Sequence, residues 1–241
     1  MPVFEQMHLE ITIPCYNEEH RLAKGYATLA DWVLKNQERA KITVVIADNG
    51  STDRTEEIAR RLAEESRVPT RYLRLGRPGL ALALRASWDA STADVVGYCD
   101  TDMATDVEHL GEVLREFAAE EMTVVNGSRW LKGAVVRNRG LLRTILSWTL
   151  HKGIRLLAGI RATDIACGFK FFRRDWYAEK SPGLTSERFF LGAELLWSAE
   201  QEGCLVKEIP VRWTDRPGSR IKIIPTTRDY WQGIVRLWRR K

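Results

Sequence analysis

The sequence has no apolar run approaching the ~18 residues of a membrane-spanning helix, so a transmembrane protein is not expected. The first thirteen residues lack a cationic start, and their apolar stretch is too short for a secretory signal. Cysteine is sparse: Cys15, Cys99, Cys167 and Cys204 are scattered. None forms a CxxC pair or sits at ligand spacing from a histidine. That excludes a disulfide framework and a structural zinc site, and it reads as buried thiols in a reducing compartment. There is no internal repeat and no low-complexity tract. No base-reading motif accompanies the basic residues, so a nucleic-acid partner is not expected.

What is present describes a globular chain. Its 241 residues are 44% hydrophobic and 29% charged. That suffices for one sizeable α/β core and is too short for two full domains with linkers. A single domain over residues 1–241 is expected. The net charge is +5, unevenly placed. Residues 216–241 hold eight Lys/Arg and one acid, Asp229, which leaves the rest slightly acidic. A basic end on a near-neutral body suggests an anionic partner such as a phosphate or a membrane surface.

Along the first half, short β-rich runs alternate with helical patterns. Strands are predicted at 9–13, 42–47, 70–75, 94–99 and 122–126. Helices are predicted at 18–36, 53–65, 80–90 and 106–120. Runs such as Ile42 to Ala47 are continuously apolar, as in a strand covered on both faces. The alternation predicts a mostly parallel sheet with right-handed crossovers. Ligands of such sheets bind beyond the carboxyl ends of the strands. Three polar clusters sit there: Pro14-Cys15-Tyr16-Asn17-Glu18, Asp48-Asn49-Gly50-Ser51-Thr52-Asp53, and Asp100-Thr101-Asp102.

Asp100 and Asp102 are two apart, so in extended chain they point the same way. Such a pair can hold Mg²⁺ or Mn²⁺, the remaining positions going to water and substrate phosphates. The competing reading is a helix N-cap, a role that Asp106 also suits. Asp48 ends a buried strand, where it can accept a hydrogen bond from a base N–H. Asp53 with Glu56 matches a capping box. Tyr16 can stack on a base, and Glu18 can bond a ribose or simply start a helix.

Together the runs ITIPCYNEE, IADNGSTD, CDTDMATD, NGSRW, DIACGFKFF and PVRWTDRPGSR resemble family 2 glycosyltransferases. Within them they are most similar to dolichyl-phosphate glucosyltransferases and polyprenyl-phosphate mannose synthases. The resemblance spans nearly the whole chain. It implies the GT-A fold and an inverting transfer. It also implies that Pro14, Tyr16, Glu18 and Asp48 line the nucleotide pocket, with Asp100 and Asp102 on the diphosphate and metal. Mannose synthases carry a Gln two residues past the second Asp, where this chain has Ala104. A DxDxA pattern belongs to glucosyltransferase-like members, so UDP-glucose is expected over GDP-mannose.

Residues 140–160 read as a helix on which Arg143, Ser147, His151 and Arg155 form one polar stripe among leucines and a tryptophan. An interfacial amphipathic helix fits that pattern. The resemblance places the phosphate of the lipid acceptor on Arg129, Arg143 and Ser147. Arginine suits that task because its fork donates two parallel bonds. Asp164, with Gly168, Phe169 and Lys170, belongs to a DxxxGFK-like run that either orients the donor sugar or makes a turn. Arg216 and Arg220 flank Pro217 and Gly218 and are candidates for a lid over the diphosphate, Arg220 the better placed. Residues 229–241 set Trp231, Ile234, Val235 and Trp238 at helical spacing among arginines, a second membrane-interface helix.

The expected protein is thus an enzyme on the cytoplasmic face of a membrane, peripherally held. It moves a hexose from a nucleoside-diphosphate sugar to a polyprenyl or dolichyl phosphate. A lipid phosphate is already anionic and needs no base. A hydroxyl acceptor would need one, and Glu194 is then the candidate. A catalytically silent nucleotide-binding scaffold is the alternative from another class.

Overall fold

The sheet is built from the runs that read as doubly covered strands. In a computed structural model, residues 7–119, 121–216 and 223–239 are described. The strands of the first half are β1 (His8–Cys15), β2 (Lys41–Asp48), β3 (Thr70–Arg74), β4 (Val95–Cys99) and β5 (Met122–Ser128). Between them lie α1 (Leu22–Asn36), α2 (Thr55–Glu65), α3 (Leu80–Asp89) and α4 (Leu110–Phe117). The second half adds β6 (Val135–Arg137), α5 (Leu141–Ala158), β7 (Phe169–Arg173), α6 (Arg174–Lys180), α7 (Leu191–Gln201), β8 (Leu205–Pro210), β9 (Arg212–Thr214) and α8 (Ile223–Trp238).

Seven strands form one sheet in the order β3-β2-β1-β4-β7-β5-β8. Neighbours are parallel except at β7, which runs against both β4 and β5. β6 and β9 pair in a separate two-stranded sheet. The expected mostly parallel α/β sheet is present. The antiparallel insertion of β7 is an addition that the apolar pattern of the first half does not carry.

Helices cover both faces. On one, Leu22, Leu29 and Trp32 of α1 and Leu110 and Phe117 of α4 pack with Leu9, Ile11 and Ile13. On the other, Trp88 of α3, Leu195 of α7 and Ile234 of α8 pack with Val96, Val124 and Phe172. Each of these large apolar side chains contributes ~1.5–3 kcal/mol by leaving water. Cys15, Cys99 and Cys167 are buried free thiols, and Cys204 is partly covered.

Three helix starts differ from expectation: α4 begins at Leu110, after a 3-10 turn at Val107–His109 capped by Asp106, and α1 and α2 also start late. α1 begins at Leu22, because residues 18–21 form a turn in which the Arg21 and Leu22 N–H groups both donate to the Glu18 carbonyl at 2.9 Å. α2 begins at Thr55 with Arg54 at the N-cap position, and Asp53, one residue earlier, accepts from the Thr55 N–H at 3.0 Å. Its capping-box partner Glu56 instead turns to Arg60 and Arg74.

Candidate active site

The carboxyl ends of β1, β2 and β4 lie side by side, and the three polar clusters meet there. The first two loops are stitched by Asn17. It sits at φ 55°, a left-handed conformation that asparagine tolerates better than most residues. From there its side-chain oxygen accepts from the Thr52 N–H at 2.7 Å and the Asp53 N–H at 3.3 Å. Its own N–H donates to Ser51 Oγ at 2.9 Å, and the Glu18 N–H donates to Thr55 Oγ1 at 2.7 Å. Asp48 is fully buried; it accepts from the Ser51 N–H at 2.9 Å and from the Tyr72 hydroxyl at 3.0 Å. Its carboxylate therefore shapes the loop from below. Tyr16 is exposed at the rim. Pro14 offers its carbonyl to Thr101 Oγ1 at 2.6 Å, which ties the β1 end to the aspartate loop.

Two glycines set that loop in place. A Cβ on Gly25 of α1 would stand 1.8 Å from the Thr101 carbonyl oxygen. A Cβ on Gly168 would fall 2.0–2.2 Å from the carboxyl atoms of Asp100. Only a bare backbone lets α1 and the β7 lead-in press this closely on the Asp100–Asp102 turn. The Asp100 N–H in turn donates to the Gly168 carbonyl at 3.2 Å.

The two aspartates differ in surroundings. Asp102 folds back to accept from the Ala104 N–H at 3.1 Å and faces Arg21 Nη1 at 3.6 Å. Asp100 is held more deeply. Burial, and then the charge of Asp102, push its carboxyl up to about 7, while Arg129 and Lys170 pull the other way. This crowding of negative charge is what a divalent cation relieves. Two carboxylates, completed by water and diphosphate oxygens, are an ordinary donor set for Mg²⁺ or Mn²⁺. Among the described residues no cluster of three His, Cys, Asp or Glu stands ready for a metal. Ala104 supplies a backbone N–H, not a ligand.

Arg21 was not singled out by sequence. Its fork takes both Glu18 oxygens at 2.7 Å, and its remaining Nη1 reaches Asp102. Glu18, Arg21 and Asp102 thus form a charged bridge across the mouth of the site. A signal existed in Glu18-x-x-Arg21, but it looks like any i,i+3 helix pair.

Below the aspartates the cations are engaged. Arg129 Nε and Nη2 donate to Asp164 at 2.7 and 2.9 Å, and its backbone N–H donates to the same carboxylate at 3.1 Å. Asp164 is fully buried and also accepts from the Ala166 N–H at 3.1 Å. Of the two roles open to Asp164, the structure displays the turn. Buried Lys170 donates to the Cys167 carbonyl at 2.6 Å, and burial lowers its pKa. Glu194 is buried at the start of α7 and accepts from the Thr185 and Ser186 N–H groups at 3.3 and 3.1 Å, so it organises a loop. Arg143 and Ser147 lie on α5 with their side chains outside the described part, and Arg220 lies outside the described residues altogether.

α8 corrects one detail. Ile234, expected on a membrane-facing stripe, is fully buried with Tyr230 and Leu237 against the body, whereas Trp231 and Trp238 are exposed. The helix carries two apolar stripes. Asp229 fastens the docked one by accepting from the Phe189 and Phe190 N–H groups at 2.9 and 3.0 Å.

This arrangement coincides with the comparisons. The human dolichyl-phosphate beta-glucosyltransferase is 30% identical over 227 residues, covering 88% of this chain and 69% of that protein. Glycosyltransferase AglD of Haloferax volcanii is 28% identical over 96% of this chain, which spans only 37% of the length of that relative. Among solved structures, glucosyl-3-phosphoglycerate synthase of Mycobacterium tuberculosis, bound to Mn²⁺, UDP and glucosyl-3-phosphoglycerate, superposes with a TM-score of 0.66. It does so at 15% identity, covering 97% of this chain and 79% of the other. S. aureus TarS with UDP-GlcNAc superposes at 0.64 and 14% identity, covering 96% and 66%. At such identities these two speak for the fold alone, which is GT-A. The family model for glycosyl transferase family 2 matches residues 10–179. With that match, and with its motifs assembled at one sheet end, the chain belongs to glycosyl transferase family 2.

Proposed function

We propose that this protein transfers glucose, with inversion, from UDP-glucose to a dolichyl or other polyprenyl phosphate. The observation that carries the proposal is the Asp100–Asp102 pair at the end of β4, crowded enough to raise the Asp100 carboxyl to about 7. The likeness to dolichyl-phosphate glucosyltransferases supports the lipid-phosphate acceptor and the glucosyl donor.

In this reading the nucleotide lies over the β1 and β2 loops, bordered by Pro14, Tyr16, Glu18 and the loop Asp48 shapes. Asp100 and Asp102 would hold Mg²⁺ or Mn²⁺, which neutralises charge on the departing diphosphate. Arg21 adds a positive charge at the same mouth. Arg220 remains the candidate lid residue. The acceptor phosphate oxygen attacks the anomeric carbon as the bond to UDP breaks, so no protein base is required. Glu194 is an unsuitable base in any case, because its carboxylate is tied to the 185–186 backbone.

A bilayer surface is the proposed setting, on the cytoplasmic face and by peripheral contact. No helix among the described residues is long and apolar enough to cross a membrane. Instead Leu156 and Leu157 near the end of α5 and Trp231 and Trp238 of α8 stand exposed, with Leu156 at 73%. Trp238 Nε1 donates to the Leu157 carbonyl at 2.8 Å, so the two helices present these side chains together. Tryptophan at a wet–apolar boundary and flanking arginines suit an interfacial position.

The test is a donor panel with polyprenyl phosphate and Mg²⁺ or Mn²⁺, reading sugar in the extracted lipid phase. UDP-glucose is expected to label the lipid, and Asp102→Ala to abolish labelling. Failure of every donor with active-folded protein would overturn the lipid-phosphate reading. Wild-type turnover by Asp102→Ala would overturn the metal assignment.

A further inference from the structure

A small cleft lies beside the proposed catalytic floor, lined by Trp130, Trp148, Lys152, Arg155 and Thr163. Its volume is about 150 Å³. That is about five water volumes, well short of the ~300 Å³ at which drug-sized ligand pockets begin. A tetrahedral oxyanion with its first few carbons is the right size; a nucleotide is not.

The walls are chemically lopsided. Among the described residues two cations line the cleft and no carboxylate does, the Glu208 carboxylate lying behind Thr163. The Lys152 ammonium sits 4.7 Å from the centre of the Trp148 ring. Arg155 uses Nη2 on the Arg161 carbonyl at 2.6 Å, which fixes its guanidinium in place. Its Nε and the Trp130 indole N–H are both buried and find no acceptor among the described residues. A buried donor is costly to leave without a partner, and two on one cleft call for a ligand that accepts hydrogen bonds. Thr163 contributes wall rather than a donor, because its hydroxyl donates to the Glu208 carboxylate at 3.0 Å and meets Ser128 Oγ at 2.6 Å.

The location narrows the ligand. Trp130 follows Arg129, whose fork is spent on Asp164. The backbone between them therefore leads from the catalytic floor to the cleft. The cleft also opens beside the exposed Trp148 of α5, on the helix that carries Leu156 and Leu157. An anion bound here would meet Lys152 and Arg155 with the Trp148 ring beside it, so an attached apolar chain can leave along the exposed helix surface.

We propose that this cleft takes the phosphate and first isoprene of the acceptor, with Lys152, Arg155 Nε and Trp130 Nε1 on the oxygens and the Trp148 ring against the chain. This rests on the lipid-phosphate reading above but assigns the contacts to residues that reading does not name. The phosphate chemistry is shared with free phosphate and with phospholipid headgroups, so the test separates the three.

Wild type, Lys152→Gln, Lys152→Arg and Lys152→Gln/Arg155→Gln are titrated calorimetrically with a two-isoprene prenyl phosphate, the matching prenol, inorganic phosphate, phosphatidylserine vesicles and UDP. Lys152 is exposed, so its single variants keep the fold even if the double variant loosens the turn at Arg161. Prenyl phosphate is expected to bind wild type, with Kd raised at least tenfold by Lys152→Gln and recovered by Lys152→Arg. UDP affinity should not move. Prenol should bind weakly, and inorganic phosphate should compete only at millimolar levels. Equal prenyl-phosphate affinity in wild type and the double variant would overturn the proposal, as would no binding to wild type. Loss of binding to phosphatidylserine vesicles with unchanged prenyl-phosphate affinity would also overturn it, in favour of a headgroup anchor. If prenyl phosphate binds through Lys152 but no donor labels it, the cleft stands and the glucosyl-transfer reading falls.

Discussion

Asp100→Asn should make the metal-free protein more stable at alkaline pH, although it removes a residue of the proposed active site. The ordinary carboxyl value is 3.8, and in the fold it rises to about 7. A raised carboxyl pKa means that the folded state holds the proton more tightly than the unfolded one. Below pH ~4 both states are protonated and the site costs nothing. Between pH ~4 and ~7 the unfolded chain releases its proton first, so stability falls as pH rises. Above pH ~7 the loss levels off. Three pH units at 1.36 kcal/mol each give at most ~4 kcal/mol. In a chain of this size that is roughly 10 °C in melting temperature. Asparagine does not titrate, so the wild-type and Asp100→Asn curves should converge near pH 4–5 and separate by pH 8. The measurement is a series of thermal melts in EDTA across that range. Adding Mg²⁺ with UDP should raise wild type at pH 8 and leave the variant nearly where it was. Parallel pH dependence in the two proteins would refute the argument, because it would mean that Asp100 is not held in an unfavourable charge state.

Gly168→Ala places a methyl 2.0 Å from the Asp100 carboxylate. Relief requires a backbone shift costing ~1–3 kcal/mol, and transfer activity should fall at least a hundredfold, with the melting temperature and initial rate as readouts. Arg21→Gln removes the cation between Glu18 and Asp102; the KM for the sugar nucleotide should rise about tenfold, while Mn²⁺ binding alone, followed by electron paramagnetic resonance, tightens because a competitor for Asp102 is gone. Replacing Trp231 and Trp238 by Ser should reduce sedimentation with anionic vesicles several-fold while lowering the melt by only a few degrees, since both rings are exposed, the docked stripe of Tyr230, Ile234 and Leu237 is untouched, and the loss is the Trp238–Leu157 hydrogen bond.

Much of this architecture was readable because β2 and β4 carry buried, largely apolar runs, Val44 to Ala47 and Val95 to Cys99, and end in acidic loops. That pattern has few solutions besides a doubly covered strand delivering side chains to a sheet end. β7 was illegible for the opposite reason. Phe169, Phe171 and Phe172 are all buried, but Lys170 between them is buried too. A strand that hides a lysine has no clean period, and nothing local announces that it runs antiparallel. Arg21 escaped because its role depends on Asp102, 81 positions along the chain. Ile234 was misplaced because α8 carries two apolar stripes, and spacing alone does not say which one the body claims. The purpose of Gly25 and Gly168 appears only when the atom each would strike is known.

The charges of the site sort into two layers, and the sorting bears on where each substrate goes. Beneath the aspartates, Arg129 is matched by Asp164 and Lys170 is anchored on a carbonyl. Arg129 is thereby compensated, and the Lys170 charge is buried and acts on Asp100, so the floor has little accessible positive charge to offer an incoming anion. At the mouth, Asp100 and Asp102 remain negative beyond what Arg21 offsets, which suits a cation carrying a diphosphate. An acceptor phosphate arriving as a second anion would meet repulsion from both the aspartates and the bound diphosphate. It needs positive charge placed to one side, close enough for an oxygen to reach the anomeric carbon and far enough to spare it the diphosphate. In the proposed cleft Lys152 and Arg155 would supply such charge from α5, on a wall shared with Trp130 and Thr163, the chain neighbours of Arg129 and Asp164. Two anions would then be held in one reaction without sharing a ligand.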